Sequence, residues 1–270
     1  MPTKLKSQNN IADRIVPISE ATNNVTALVY GKSGTGKTEF GSTFPTPILH
    51  IDIKEKGTDT IMGKSGIKTV RLENWQDAED VYWYLHDERP SFQSIILDQC
   101  TGLQYLGMDD IRKKKKKSNT ELFTRQMWGQ LSGALKTHLE QYKDLSEYYN
   151  ICFLAHERAF DSGSDEDEEV LDPNIGARMM PSVGSFLAGA CDVIGQTFIR
   201  EEYQKDDKGK DKRVVQYCMK LGPHAFYTTK IRRPRVFGPP PDYIVDPSYQ
   251  KLRDVMSGKD SVKKRPIRRK

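Results

Sequence analysis

The sequence predicts an α/β fold in which a mostly parallel β-sheet carries helices on both faces. Apolar runs of four to seven residues alternate along the chain with longer helical segments, as in successive βαβ units. These runs are nearly continuous in apolar residues, as expected for parallel strands that are covered on both faces. A glycine-rich turn directly follows the first of these runs.

Each predicted strand up to residue 157 is a short apolar run. The strands are predicted at VTALVY (25–30), TPILHID (46–52), GIKTVRL (66–72), SIILD (94–98) and ICFLAHE (151–157). Helices are predicted at 74–88, 101–110 and 120–147, and a basic run separates the last two.

The pattern changes after residue 157. The acidic segment 161–174 is typical of a loop, and 181–199 predicts a helix that leads into a strand. Two alternating segments, 213–221 and 225–231, are joined by GPH, so we expect them to pair as a C-terminal β-hairpin extension. The Pro-rich stretch after residue 231 is expected to end regular structure.

The sequence divides into three predicted regions. Residues 1–21 are expected to form a flexible N-terminal segment, residues 22–235 one α/β domain, and residues 236–270 a Pro-rich and basic tail.

The composition excludes several classes of protein. A charged fraction of 29% and a mean hydropathy of −0.67 argue against a membrane protein, and the first ten residues contain no apolar stretch typical of a secretory signal. The four cysteines form no CxxC pair, so we expect a reducing cytoplasm and no zinc site. The net charge of +5 slightly favours anionic partners.

The segment GKSGTGKT matches the phosphate-binding pattern G-x-x-x-x-G-K-[ST], between a strand and a helix. Its glycines allow the backbone to wrap closely around phosphate oxygens. Lys37 is expected to reach the β- and γ-phosphates, and the Thr38 hydroxyl to bind Mg²⁺. The candidate nucleotide-binding residues are Gly31, Lys32, Ser33, Gly34, Thr35, Gly36, Lys37 and Thr38.

Polar residues at the ends of other strands supply the remaining candidates. Asp98 ends SIILD and is the expected second Mg²⁺ ligand. Asp52 and Glu55 are candidates for activating water, although a solvated charged loop is the alternative. His156 ends another strand and is either a reporter of nucleotide state or a core histidine.

Six consecutive basic residues separate two predicted helices: Arg112, Lys113, Lys114, Lys115, Lys116 and Lys117. Like charges repel one another, so the run is expected to be an exposed loop, and the functional alternative is a contact with nucleic-acid phosphates. The acidic stretch 165–169 argues against the latter, because it would repel DNA.

In order along the chain, these segments resemble the RecA-type ATPase core and, more narrowly, phage-encoded RecA-like proteins that include Sak-type single-strand annealing proteins. The resemblance covers roughly residues 22–235. It rests on VYGKSGTGKTEFGSTFP, ILHIDIKEKGTDTI, SIILDQC, ICFLAHER, GSFLAGACDVIGQ and TTKIRRP.

The resemblance implies a RecA-like P-loop ATPase domain in which Lys37, Thr38 and Asp98 bind Mg-ATP. It implies that His156 senses the γ-phosphate and that the loop at 157–180 faces DNA. It also implies that Lys230 and Arg232 reach the ATP of a neighbouring subunit. The chain departs from the family at Lys54, which stands where the family has its catalytic glutamate; Glu55 follows one residue later.

The resulting hypothesis is a cytoplasmic ATPase that binds single-stranded DNA and promotes annealing or strand exchange in phage recombination or replication. Its expected cofactors are ATP and Mg²⁺. Its expected partners are single-stranded DNA, further copies in a ring or filament with ATP at the interfaces, and a phage or host single-strand binding protein. The alternatives are a small-molecule kinase and an assembly module that binds ATP with little hydrolysis.

Overall fold

The computed structural model describes residues 24–55, 57–159, 175–205 and 211–259, together with residues 15 and 17. Most of the predicted N-terminal segment, the acidic segment 161–174 and the basic end of the tail lie outside these described residues. Within the described ranges, no helix has both the length and the apolar character needed to cross a bilayer.

The chain folds into ten strands and six helices within the described residues, which confirms the α/β prediction. The strands are β1 (Thr26–Gly31), β2 (Ile48–Ile53), β3 (Ile67–Leu72), β4 (Ser94–Asp98), β5 (Asn150–Ala159), β6 (Ile175–Ala177), β7 (Val193–Lys205), β8 (Asp211–Lys220), β9 (Lys230–Ile231) and β10 (Tyr243–Val245). The helices are α1 (Lys37–Gly41), α2 (Trp75–Trp83), α3 (Cys100–Lys114), α4 (Arg125–Asp144), α5 (Pro181–Ala190) and α6 (Tyr249–Met256).

The strands form one sheet in the order β10-β8-β7-β1-β5-β4-β2-β3, with β6 on β5 and β9 on β7. The six strands from β3 to β7 in this order are joined by five parallel pairings. The pairings of β6, β8, β9 and β10 are antiparallel. The carboxyl ends of β1, β2, β4 and β5 therefore lie along one edge of the sheet, where ligands bind in open α/β sheets.

Helices cover both faces of the sheet. One hydrophobic cluster packs side chains of α2, α3, α4 and α5 against it, including Leu103, Leu131 and Leu187. The second cluster packs α1 and α6 against the other face through Phe40 and Leu252. Because both faces of the sheet are buried, its central strands need to be apolar along almost their whole length.

The basic run is not a loop over its whole length, so that part of the prediction was wrong. Helix α3 continues to Lys114, and its last turn contains Arg112, Lys113 and Lys114. Lysine and arginine are good helix formers, and their charges are favourable at the C-terminal end of the helix dipole. Only Lys115, Lys116 and Lys117 follow the helix.

The predicted hairpin between 213–221 and 225–231 was also wrong. Strand β8 pairs with β7 along its whole length, from Gln196–Lys220 to Lys205–Asp211, and on its other side with β10. The short β9 pairs with the start of β7 instead. Alternation of apolar residues identified β8 as a strand, but alternation alone does not identify its partner.

The expectation that regular structure ends in the Pro-rich stretch was wrong as well. Strand β10 extends the sheet, and α6 follows it with Leu252 and Val255 buried. Ser248 caps α6 by accepting a hydrogen bond from the Lys251 amide.

Candidate active site

The face of the sheet that packs against α1 becomes polar at its carboxyl edge. On β4, the buried Ile96 is followed two residues later by Asp98. On β5, Leu154 is followed in the same way by His156. Side chains two residues apart on a strand lie on the same face of the sheet. Asp98 and His156 therefore lie on the same face as the second hydrophobic cluster, at the carboxyl edge of the sheet.

The glycine-rich loop leaves β1 at this edge and is held by β7. Gly34 and Gly36 have φ values of 77° and 87°, a left-handed conformation that favours glycine. The Thr35 Oγ1 atom lies 2.7 Å from the Thr197 Oγ1 atom of β7. A side chain at Gly31 would collide with Thr197. The loop is therefore fixed in a conformation that residues with larger side chains do not readily adopt.

Lys37 is buried at the start of α1 and folds back over this loop. Its Nζ atom donates to the carbonyl oxygens of Gly31, at 3.0 Å, and Lys32, at 2.8 Å. Burial lowers the pKa of Lys37, and the nearby charges of Asp98 and Glu55 oppose that shift. The ammonium group thus sits among oxygen acceptors, and phosphate oxygens are acceptors of the same kind.

Thr38 and Asp98 form the oxygen pair expected of a Mg²⁺ site. The Thr38 Oγ1 atom donates to the Asp98 Oδ2 atom over 2.6 Å. A hydroxyl and a carboxylate suit Mg²⁺, which binds few protein oxygens and completes its shell with water and phosphate. Among the described residues, no group of three or more His, Cys, Asp or Glu side chains could hold a metal ion.

The turn after β2 places the carboxylates of Asp52 and Glu55 in different surroundings. Asp52 is 2% exposed, and its carboxylate accepts hydrogen bonds from the Arg71 guanidinium, at 2.6 Å, and from the Glu55 amide, at 3.1 Å. Lys54 has a φ of 60°, and its Nζ atom bonds Asp109. The Glu55 side chain lines the same cavity as Thr38 and Asp98.

His156 contacts two side chains through one ring nitrogen. Its Nε2 atom lies 2.9 Å from the Glu55 Oε1 atom and 2.5 Å from the side-chain amide nitrogen of Gln99. His156 is half-buried and pairs in register with Gly31, the first residue of the phosphate-binding loop. It therefore lies at the cavity rather than in the core.

A cavity of about 680 Å³ is lined by eight of the predicted site residues, and this volume is typical of small-molecule sites. The eight are Ser33, Gly34, Gly36, Lys37, Thr38, Glu55, Asp98 and His156. The roles assigned to these residues stay predictions, but their common location is a property of the structure.

One wall of the cavity was missed by sequence reasoning. Tyr217 of β8 lies against the phosphate-binding loop, 3.3 Å from the position that a Cβ atom on Gly36 would take. Residues 246–248 line the same side of the cavity. The next residue, Tyr249, is anchored by a hydrogen bond from its amide to Thr43 Oγ1 at 2.8 Å. The alternation in β8 was the only sequence signal for Tyr217, and residues 246–248 had been assigned to a tail.

Lys230 and Arg232 lie elsewhere. Strand β9 pairs with the start of β7 at Val193 and Ile194, whereas Thr197 of the same strand flanks Gly31. The Lys230 Nζ atom donates to the carbonyl oxygens of Ala188, at 2.9 Å, and Gly189, at 3.2 Å. Arg232 pairs with Asp192 at 2.8 Å. Both side chains point to the end of α5, and neither lines the cavity of its own subunit.

The basic run also lies away from the cavity lining. Lys114 pairs with Asp110, and Lys117 pairs with Glu121. Within the described part of the chain, Lys113, Lys115 and Lys116 are exposed and form no ion pair.

Comparison with known protein families gives a match over most of the chain. The sequence model of a protein family described as an AAA domain matches residues 23–233, well over half of the chain. The match spans β1 to β9 and includes every cavity-lining side chain named above except residues 246–248. No curated protein matches the chain.

Proposed function

The chain belongs to the AAA domain family of P-loop ATPases, and we propose that it binds Mg-ATP in the central cavity and hydrolyses it. The observation that carries this proposal is the convergence of Lys37, the Thr38–Asp98 pair and Glu55 on one cavity. P-loop domains of this type typically use ATP and Mg²⁺, and the donor atoms at Thr38 and Asp98 fit that cation.

Each residue has a distinct role in this proposal. Backbone amides of the glycine-rich loop and Lys37 bind the phosphates and neutralise charge that develops on them. Thr38 and Asp98 would hold the Mg²⁺, which would neutralise negative charge on the phosphates. Tyr217 and residues 246–248 enclose the remaining end of the cavity, where the base and ribose fit.

Glu55 is the proposed general base. Its carboxylate is at the cavity, within hydrogen-bond distance of His156. The carboxylate of Asp52 is buried and already engaged by Arg71. A general base needs an acceptor that water can reach. Glu55 lines the cavity with a half-exposed side chain, whereas both carboxylate oxygens of Asp52 already accept hydrogen bonds, which favours Glu55.

We further propose that the ATPase acts on single-stranded DNA, as the resemblance to RecA-like recombination proteins suggests. The exposed, unpaired lysines of the basic run favour this target, because phosphate contacts dominate nucleic-acid affinity. Annealing or strand exchange in a phage context is the corresponding biological activity, and a homo-oligomer with ATP at its interfaces is the corresponding assembly.

Turnover measured with and without single-stranded DNA tests this proposal. Turnover that rises when DNA is added supports it. Turnover that needs a small-molecule acceptor would indicate a kinase, and tight nucleotide binding without turnover would indicate an assembly module. Either of these two results contradicts the proposed activity.

A further inference from the structure

His50 is a buried polar side chain in a strand that is otherwise apolar up to Asp52. It lies in the middle of β2, is 1% exposed, and pairs in register with Ile96 of β4. Burying an imidazole costs free energy unless its nitrogens are hydrogen-bonded. An aliphatic residue at this position would extend the second hydrophobic cluster without that cost.

The hydrogen bonding of this ring points to a single partner. The His50 Nε2 atom lies 3.2 Å from the Asp98 Oδ2 atom. The Nδ1 atom is buried and has no hydrogen-bond partner among the described residues. A proton on Nδ1 would be a buried donor without an acceptor, which is costly. The favoured tautomer therefore carries its proton on Nε2 and donates it to Asp98.

Asp98 Oδ2 consequently accepts from two donors, the Thr38 hydroxyl and the His50 ring. The terminal torsion of an aspartate side chain has a broad energy minimum, so its carboxylate plane is set by its hydrogen bonds. Two donors that converge on one oxygen fix this plane and leave the Oδ1 atom for other ligands.

We infer that His50 is a positioning residue for the divalent-cation site: by donating to Asp98, it orients the carboxylate that helps bind Mg²⁺. This inference rests on the proposed function. His50 is covered from solvent and acts through Asp98, as outer partners of metal ligands do elsewhere.

Nucleotide binding measured at several Mg²⁺ concentrations tests the inference without relying on turnover. A fluorescent ADP analogue is titrated into wild-type protein, His50→Leu and His50→Gln. His50→Leu is expected to raise the Mg²⁺ concentration for half-maximal binding about tenfold, the effect of one lost hydrogen bond to a charged group. Affinity in EDTA is expected to stay within about twofold. His50→Gln keeps an N–H donor and is expected to recover most of the shift.

His138 provides a matched control. It is likewise buried at 3% exposure, but it lies in α4 between Trp75 and Tyr142, in the other hydrophobic cluster. His138→Leu should leave the Mg²⁺ midpoint unchanged. If the midpoint for His50→Leu moves no further than that for His138→Leu, the inference is wrong. If wild-type protein binds no nucleotide, the proposed function itself fails.

A measurement on the wild-type protein covers the case in which His50→Leu does not fold. Long-range ¹H–¹⁵N NMR of histidine-labelled protein reports which ring nitrogen carries the proton. We expect a His50 ring protonated at Nε2, whose signals shift when Mg²⁺ is added to the ADP complex while those of His138 do not. A His50 ring protonated only at Nδ1 would overturn the inference.

Discussion

Lys37 and Lys230 make almost the same local contacts in two different regions of the molecule. Each ammonium group donates to two consecutive backbone carbonyls, those of Gly31 and Lys32 for Lys37, and those of Ala188 and Gly189 for Lys230. Burial is the largest cause of a lowered pKa for both. Hydrogen bonds and pKa shifts alone would therefore assign the two lysines the same role.

Their surroundings distinguish them. Lys37 lines a cavity that it shares with Thr38, Glu55 and Asp98, so phosphate oxygens can replace the carbonyls as its acceptors. Lys230 satisfies carbonyls at the C-terminal end of α5, which have no helical partners of their own. The charge of Arg232 also contributes to the lowered pKa of Lys230. A basic group marks a binding site when a cavity and complementary ligands accompany it.

The largest expected effect follows from removing Lys37. Lys37→Ala should reduce ATP turnover to background, because Lys37 is the only lysine or arginine in the described lining of the cavity. Steady-state phosphate release is the measurement. Lys32→Ala is the matched control, since Lys32 is an exposed residue of the same loop; equal losses for both variants would contradict a specific role for Lys37.

Glu55→Gln should lower turnover about a hundredfold while nucleotide affinity changes little, because the amide cannot accept the proton of the attacking water. Single-turnover hydrolysis and equilibrium binding separate the two effects. Asp52→Asn is the control and should act mainly on stability, since Asp52 is held by Arg71. A near-normal turnover rate for Glu55→Gln, together with a large loss of turnover for Asp52→Asn, would identify Asp52 rather than Glu55 as the general base.

The basic run should have a smaller and salt-dependent effect. Replacing Lys113, Lys115 and Lys116 by Ser should lower the slope of log affinity for single-stranded DNA against log salt by about 2, at about 0.7 for each lost phosphate contact. Replacing Lys114 and Lys117, which are paired with Asp110 and Glu121, should change the slope less. Unchanged slopes in both variants would identify the run as a solvated helix end.

Lys230 and Arg232 have the smallest expected effect in an isolated subunit, and their proposed role in a neighbour needs a mixing test. If Lys230 and Arg232 contact the ATP of a neighbouring subunit, the Lys37→Ala variant and the Lys230→Ala/Arg232→Ala variant should each be inactive in an assembly. A mixture of the two variants should then show ATP turnover a few-fold above that of either variant alone. If ATP turnover stays at background in every mixture, Lys230 and Arg232 only cap α5 and bind Asp192.

The sequence was sufficient for those parts of the fold and site that depend on local pattern. Each predicted strand up to residue 157 is present, because fully buried strands give continuous apolar runs. The positions of the glycine-rich loop and Asp98 at one cavity could be predicted, because the proposed chemistry requires particular residues at fixed positions after a strand.

Features that depend on non-local pairing were not predictable in this way. Tyr217 reaches the cavity only because β8 pairs with β7 and β10, and alternation gives no information about partners. Nothing about Lys54 in the sequence signals a left-handed backbone, so the position of Glu55 at the cavity became clear only in the structure. His50 gave no signal either, since its partner lies 48 residues away.

The most direct test of the contrast between the two lysines is the affinity for a slowly hydrolysed ATP analogue with Mg²⁺, measured by calorimetry for wild-type protein, Lys37→Ala and Lys230→Ala. We expect the affinity to fall at least about a hundredfold for Lys37→Ala, as when a buried charge pair is lost, and less than about twofold for Lys230→Ala at protein concentrations too low for assembly. Equal losses, or a larger loss for Lys230→Ala, would contradict it.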